Sequence, residues 1–115
     1  MDVDRIADWH AHVYFDAATA AAATALRTRI EDRFAGRMEM GRFHERPVGP
    51  HPRWSYQVAF RPDLFAEIVP WLTLNRGGLT VLVHPNTGEA LADHRDRAVW
   101  LGPSEMLDLA VLERA

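Results

Sequence analysis

Twice in this chain a short run of alternating apolar and polar residues gives way to a segment with helical spacing. Ala11, Val13 and Phe15 alternate with His10, His12 and Tyr14, and Asp16 then offers an N-cap for a helix over residues 17–34. Trp54, Tyr56, Val58 and Phe60 alternate with Ser55, Gln57 and Ala59, and Pro62 suits the first turn of a second helix. A weaker strand is expected at 37–43 and another at 79–84, the latter closed by the turn Asn86-Thr87-Gly88. The first helix has an apolar stripe of Ala22, Leu26, Ile30 and Phe34. The second has Leu64, Phe65, Ile68, Val69 and Leu72, with Pro70 inside it as an expected kink. The tail, with Leu91, Val99, Trp100 and the stretch 106–112, predicts one or two strands or a short helix.

This order, β-α-β-β-α-β with a C-terminal extension, is the ferredoxin-like pattern of an α+β fold: an antiparallel sheet with helices on one face. Right-handed crossovers put the first strand in the middle, between the third and fourth, with the second outside the third. The first and third strands are expected to be parallel and the other two to oppose them. The 115 residues suit one domain, 1–115, able to bury a core.

Composition narrows the chemistry. The chain has no cysteine, so there is no disulfide and no thiolate metal site. It has no lysine; its 13 basic residues are scattered arginines under a net charge of −3, which argues against a nucleic-acid surface. Residues 1–8 lack the apolar core of a signal peptide, and no apolar run reaches membrane-spanning length, so a cytoplasmic protein without membrane association is expected.

Six histidines remain as the chemical resource: His10, His12, His44, His51, His84 and His94. Neutral imidazole ligates metals and titrates near neutrality. Strand parity puts Ala11, Val13, Phe15, the Trp54–Phe60 set, Leu79, Val81 and Val83 under the helices. It leaves His10, His12, Tyr14, His51, Arg53, Ser55, Gln57, Thr80 and His84 on the other face. His44 shares the parity of Met38 and Met40 and fits this only if the chain turns there. With the strand directions above, five imidazoles are expected at one edge of the sheet, with His94 returning after the turn to close over them. Arg53, beside His51, is a candidate for holding a substrate carboxylate. The helix-free face needs water or a cover, which predicts a homodimer, with 106–112 supplying contacts in cis or in trans.

Several stretches taken together resemble the DOPA 4,5-dioxygenase family. They are His10-Ala11-His12-Val13-Tyr14-Phe15, Pro47-Val48-Gly49-Pro50-His51-Pro52, Val81-Leu82-Val83-His84-Pro85-Asn86-Thr87-Gly88, Asp93-His94 and Trp100-Leu101-Gly102. The resemblance implies a ferredoxin-like dimer and non-haem iron(II)-dependent extradiol cleavage of a catechol, such as DOPA, by dioxygen. On that implication His12, His51 and His84 are the expected metal ligands. His94 and His10 are candidates for moving a proton, and His44 for contacting substrate. No carboxylate has a clear claim: Glu45 and Asp93 merely flank His44 and His94. A three-histidine site also accepts zinc or nickel. Two other classes fit the residues: a cofactor-free oxygenase of the dimeric α+β barrel type, and a non-enzymatic metal- or ligand-binding dimer.

Overall fold

A computed structural model describes residues 1–113. Strand β1 (Asp8–Phe15) is the centre of a five-stranded sheet of order β2-β3-β1-β4-β5. Its neighbours are β2 (Met38–Met40), β3 (Trp54–Phe60), β4 (Thr80–Asn86) and β5 (Val99–Leu101). Helix α1 (Ala20–Phe34) joins β1 to β2, and α2 (Phe65–Asn75) joins β3 to β4. The extension contributes α3 (Ala90–Arg95), β5 and α4 (Ala110–Glu113). The fold is therefore α+β with the expected strand order, and β5 widens the sheet by one strand.

Every neighbouring pair is antiparallel, β1 and β3 included: Trp9 faces Phe60 and Phe15 faces Trp54. The expectation of a parallel first and third strand is corrected. The α1 crossover brings β2 back in the direction of β1, and the β2–β3 connection then reverses the chain, so β3 must oppose β1. The end of β1 therefore lies beside the start of β3, and the sheet edge that holds His10 and His84 is not the edge from which β3 begins.

Asp16 caps the first helical segment reciprocally. Its carboxylate accepts from the Thr19 amide at 3.0 Å, and the Thr19 hydroxyl accepts from the Asp16 amide at 2.9 Å. A 3-10 turn over Ala17–Thr19 leads into α1. The buried stripe of α1 is Ala23, Leu26, Ile30 and Phe34, so Ala23 replaces the expected Ala22. A strict spacing of four drifts around a 3.6-residue helix, and the step of three from Ala23 to Leu26 corrects the drift. Helix α2 continues through Pro70.

Both helices press on Ala11, Val13, Phe15, Tyr56, Val58, Phe60, Val81 and Val83, which form the core with the α1 stripe, Ile68 and Leu72. Parity thus assigns the two faces as the alternation predicts. The other face is also closed: Tyr14, Leu82 and His84 are fully buried, and His12, Ser55 and Thr80 nearly so. The chain covers this face with its own segments, the loop 44–53 and α3. Among the described residues no helix is long and apolar enough to cross a membrane.

Candidate metal centre and active site

His10 and His84 face each other across the β1–β4 ladder, and His12 lies two residues further along the same face of β1. One ring nitrogen from each of the three falls within 4.8 Å of the others. His12 Nε2 and His84 Nε2 stand 3.0 Å apart. Two nitrogens bound about 2.1 Å from one metal at a right angle would be separated by about 3.0 Å. The backbone prepares His84 for this role: its Nδ1–H donates to the Pro85 carbonyl at 2.9 Å, which leaves the Nε2 lone pair for a cation. Histidine nitrogens alone suit iron(II), zinc or nickel, so the donor set fits the iron(II) that the family resemblance implies.

The other histidines surround this group. His94, on α3, lies ring against ring with His84 at 3.9 Å between centroids. Its Nδ1–H donates to the Ala90 carbonyl one turn earlier, at 2.7 Å, so in the neutral ring Nε2 carries the lone pair. His51 lies 4.0 Å from His12 by ring centroids, and its Nδ1 is paired with the Tyr14 hydroxyl at 2.6 Å. The tight donor group is thus His10, His12 and His84, and His51 stands outside it with one nitrogen already engaged.

The route by which His51 and His44 arrive differs from the expected one. They do not meet the others at a shared strand edge, because β3 runs against β1. The loop 44–53 instead folds back over the sheet face. Gly49, at φ 53°, lets the chain turn, and the His51 amide donates to the Val48 carbonyl at 3.0 Å. His44 is brought to the histidine face by a shift in register. Met40 pairs with Val58, but His44 bridges to Ser55, so one extra residue on the β2 side reverses the parity. His44 then lines a cavity of about 230 Å³ with His12, Val48, Pro50, His51, Ser55 and Gln57.

Burial governs the electrostatics. Desolvation, reinforced by the neighbouring rings, holds His12 well below the ordinary imidazole value of 6.5. Desolvation lowers His51 to about 4 and His84 to about 3. His10 is lowered by burial, against the opposing pull of Asp8. The rings are therefore neutral at pH 7, the form that binds metal.

The carboxylates are placed elsewhere. Asp93 is buried and accepts from the Thr87 amide at 2.8 Å, the Thr87 hydroxyl at 2.9 Å and Arg97 at 2.9 Å, so it ties α3 to the turn after β4. Asp8 stands 3.8 Å from His10 Nε2. Arg53 makes a two-pronged contact with Glu105, at 2.9 and 2.5 Å, and lies 3.7 Å from Asp16, so carboxylates of this chain hold its guanidinium. Sequence pattern alone assigned no role to Asp8, Tyr14 or Glu105. For Asp8 and Tyr14 a signal existed, since both share the parity of His10 and His12 on β1; for Glu105 there was none.

The chain has relatives of recorded description. The DOPA 4,5-dioxygenase of Amanita muscaria is 40% identical over 115 aligned residues, which cover 93% of this chain and 50% of that protein. An uncharacterised 21.2 kDa protein of Botryotinia fuckeliana is 47% identical over 81 residues, 64% of this chain and 44% of its own length. The chain thus spans about half the length of the curated relatives it matches. A crystal structure of a candidate dioxygenase from Nostoc punctiforme superposes with a TM-score of 0.95 at 46% identity, covering 99% of this chain and 97% of that one. The model of the Dopa 4,5-dioxygenase family matches residues 9–111, and the chain belongs to that family.

Proposed function

We propose that this chain is an extradiol ring-cleaving dioxygenase that acts on a catechol such as DOPA, with iron(II) held by His10, His12 and His84. The observation that carries this reading is the convergence of those three neutral rings, with two Nε2 atoms 3.0 Å apart. In the reaction the carbon–carbon bond beside the diol breaks and both atoms of dioxygen enter the ring-opened product, so no external reductant is consumed. Iron(II) held by these three rings would supply the redox chemistry that lets dioxygen react with a catechol.

The protein's own groups do the rest. With its Nδ1–H held by the Ala90 carbonyl, a neutral His94 ring offers the Nε2 lone pair, so it is suited to take a catechol proton. His44, Ser55 and Gln57 line the cavity beside the cluster and provide polar contacts for the substrate ring. Burial of His12 and His84 keeps bulk water from the donor nitrogens. Zinc or nickel fits the same nitrogens, so metal content as purified does not identify the working ion.

The deciding experiment loads the protein anaerobically with iron(II), then adds oxygen and a panel of catechols that includes DOPA. Oxygen uptake with a yellow ring-opened semialdehyde supports the reading, and no ring opening across the panel removes it. Equal turnover by metal-free protein would point to a cofactor-free oxygenase instead. We also propose a homodimer. The helix-free face does not require one, since the chain covers it, but Val99 on the edge strand and Met106 in the tail leave apolar surface exposed. Sedimentation at micromolar concentration tests this, and a monomer there overturns it.

A further inference from the structure

His51 has two nitrogens and one buried partner, and the partner decides what the ring can do. Tyr14 is fully buried on the histidine face of β1. Among the described residues its hydroxyl has one hydrogen-bond partner, His51 Nδ1, at 2.6 Å. Two arrangements satisfy that distance. In one, Tyr14 donates to an unprotonated Nδ1. In the other, Nδ1–H donates to the Tyr14 oxygen and the phenolic hydrogen is left buried with no acceptor, at a cost of about 1–3 kcal/mol. The first therefore wins, and the proton of the neutral ring sits on Nε2.

The segment that carries His51 is held firmly enough for this to matter. The Asp108 amide donates to the Pro50 carbonyl at 2.9 Å, and Arg53, two residues after His51, is gripped by Glu105. The C-terminal stretch and β1 thus clamp the loop from two sides.

We infer that Tyr14 is a positioning residue that fixes His51 as the Nε2–H tautomer, which makes His51 a hydrogen-bond donor to the reacting oxygens in the cavity and not a metal ligand. The identity of those oxygens rests on the ring-cleaving reading above. Coordination through His51 Nε2 would need that proton to move to Nδ1 and leave the buried Tyr14 hydroxyl without an acceptor, and His51 already stands outside the tight donor group of His10, His12 and His84.

The test uses the full-length protein, metal-free and zinc-loaded, with imidazole nitrogen NMR and metal analysis. Wild type is expected to show His51 as the Nε2–H tautomer in both states. Tyr14→Phe, which keeps the ring that packs there, is expected to move His51 toward Nδ1–H while His84 and His94 keep their tautomers. His51→Ala is expected to retain one zinc per chain, while His12→Ala and His84→Ala lose it. In the iron-loaded enzyme Tyr14→Phe should lower kcat by about 10- to 100-fold with little change in KM, the range typical of partners that orient site residues. Wild-type His51 protonated on Nδ1, an unmoved His51 tautomer in Tyr14→Phe, or loss of zinc in His51→Ala each overturns the inference. Absence of catechol turnover with the expected tautomers would sink the proposed reaction and leave the Tyr14–His51 assignment standing.

Discussion

At the scale of single residues, the part each histidine can play is set by the partner of its second nitrogen. The Pro85 carbonyl takes the Nδ1 proton of His84, and the Ala90 carbonyl takes that of His94. Both rings then present an Nε2 lone pair, but they stand differently: His84 belongs to the tight donor group and His94 lies over it from α3. His94→Ala is expected to keep bound metal and lose turnover by about 10²–10⁴-fold, the usual effect of deleting a proton-transfer group. Metal analysis beside a turnover assay checks this, and loss of metal would make His94 a ligand. Alternation along β1 suffices to put His10, His12 and Tyr14 on one face. The choice of hydrogen-bond partner is not legible in the same way, because backbone carbonyls such as those of Pro85 and Ala90 leave no mark in sequence.

Elements were legible in proportion to their length. The eight residues of β1 and seven of β3 carry enough alternation to fix both faces. Strands β2 and β5, of three residues each, and α3, of six, are too short for a period to register, which is why the tail read only as one or two strands or a short helix. Strand direction differs from the expected one, and with it the reason the histidines meet. They gather on a face, through the folded-back loop and the register shift near Gly41, where an added Cβ would press on the Gln57 carbonyl at 3.2 Å. The seating of α3 depends on one carboxylate. Asp93→Ala would strip acceptors from the Thr87 amide and from the partly buried Arg97, so a loss of about 1–3 kcal/mol is expected. Denaturant unfolding measures it. The same variant should weaken turnover through His94, the next residue, and unchanged stability would show that α3 is held by other contacts.

For the whole molecule, a face of buried neutral imidazoles couples stability to acid. Above pH 6.5, the ordinary value, folded and unfolded chains alike carry these rings uncharged. As pH falls below it, the unfolded chain takes up protons that the fold refuses, because His51 is lowered to about 4, His84 to about 3, and His12 and His10 are lowered too. Stability is therefore expected to be fully present above about 6.5 and to decline with falling pH until the folded rings themselves protonate near 4 and 3. Carboxylates such as Asp93, lowered from 3.8, add their loss only further down, so the upper part of the window reports the histidines. A metal that binds only the folded, neutral cluster adds stability by mass action, about 2.7 kcal/mol when its free concentration is 100 times its Kd, and protons remove that gain as they compete for the rings. Denaturant unfolding from pH 7.5 to 4.5, with zinc and with a chelator, separates the two contributions. The chelated protein should weaken steadily below about pH 6.5, and zinc should lift the curve most at the alkaline end. A chelated protein equally stable at both ends would mean that the rings are not buried neutral in solution, and the cluster would lose its claim as a ready-made metal site.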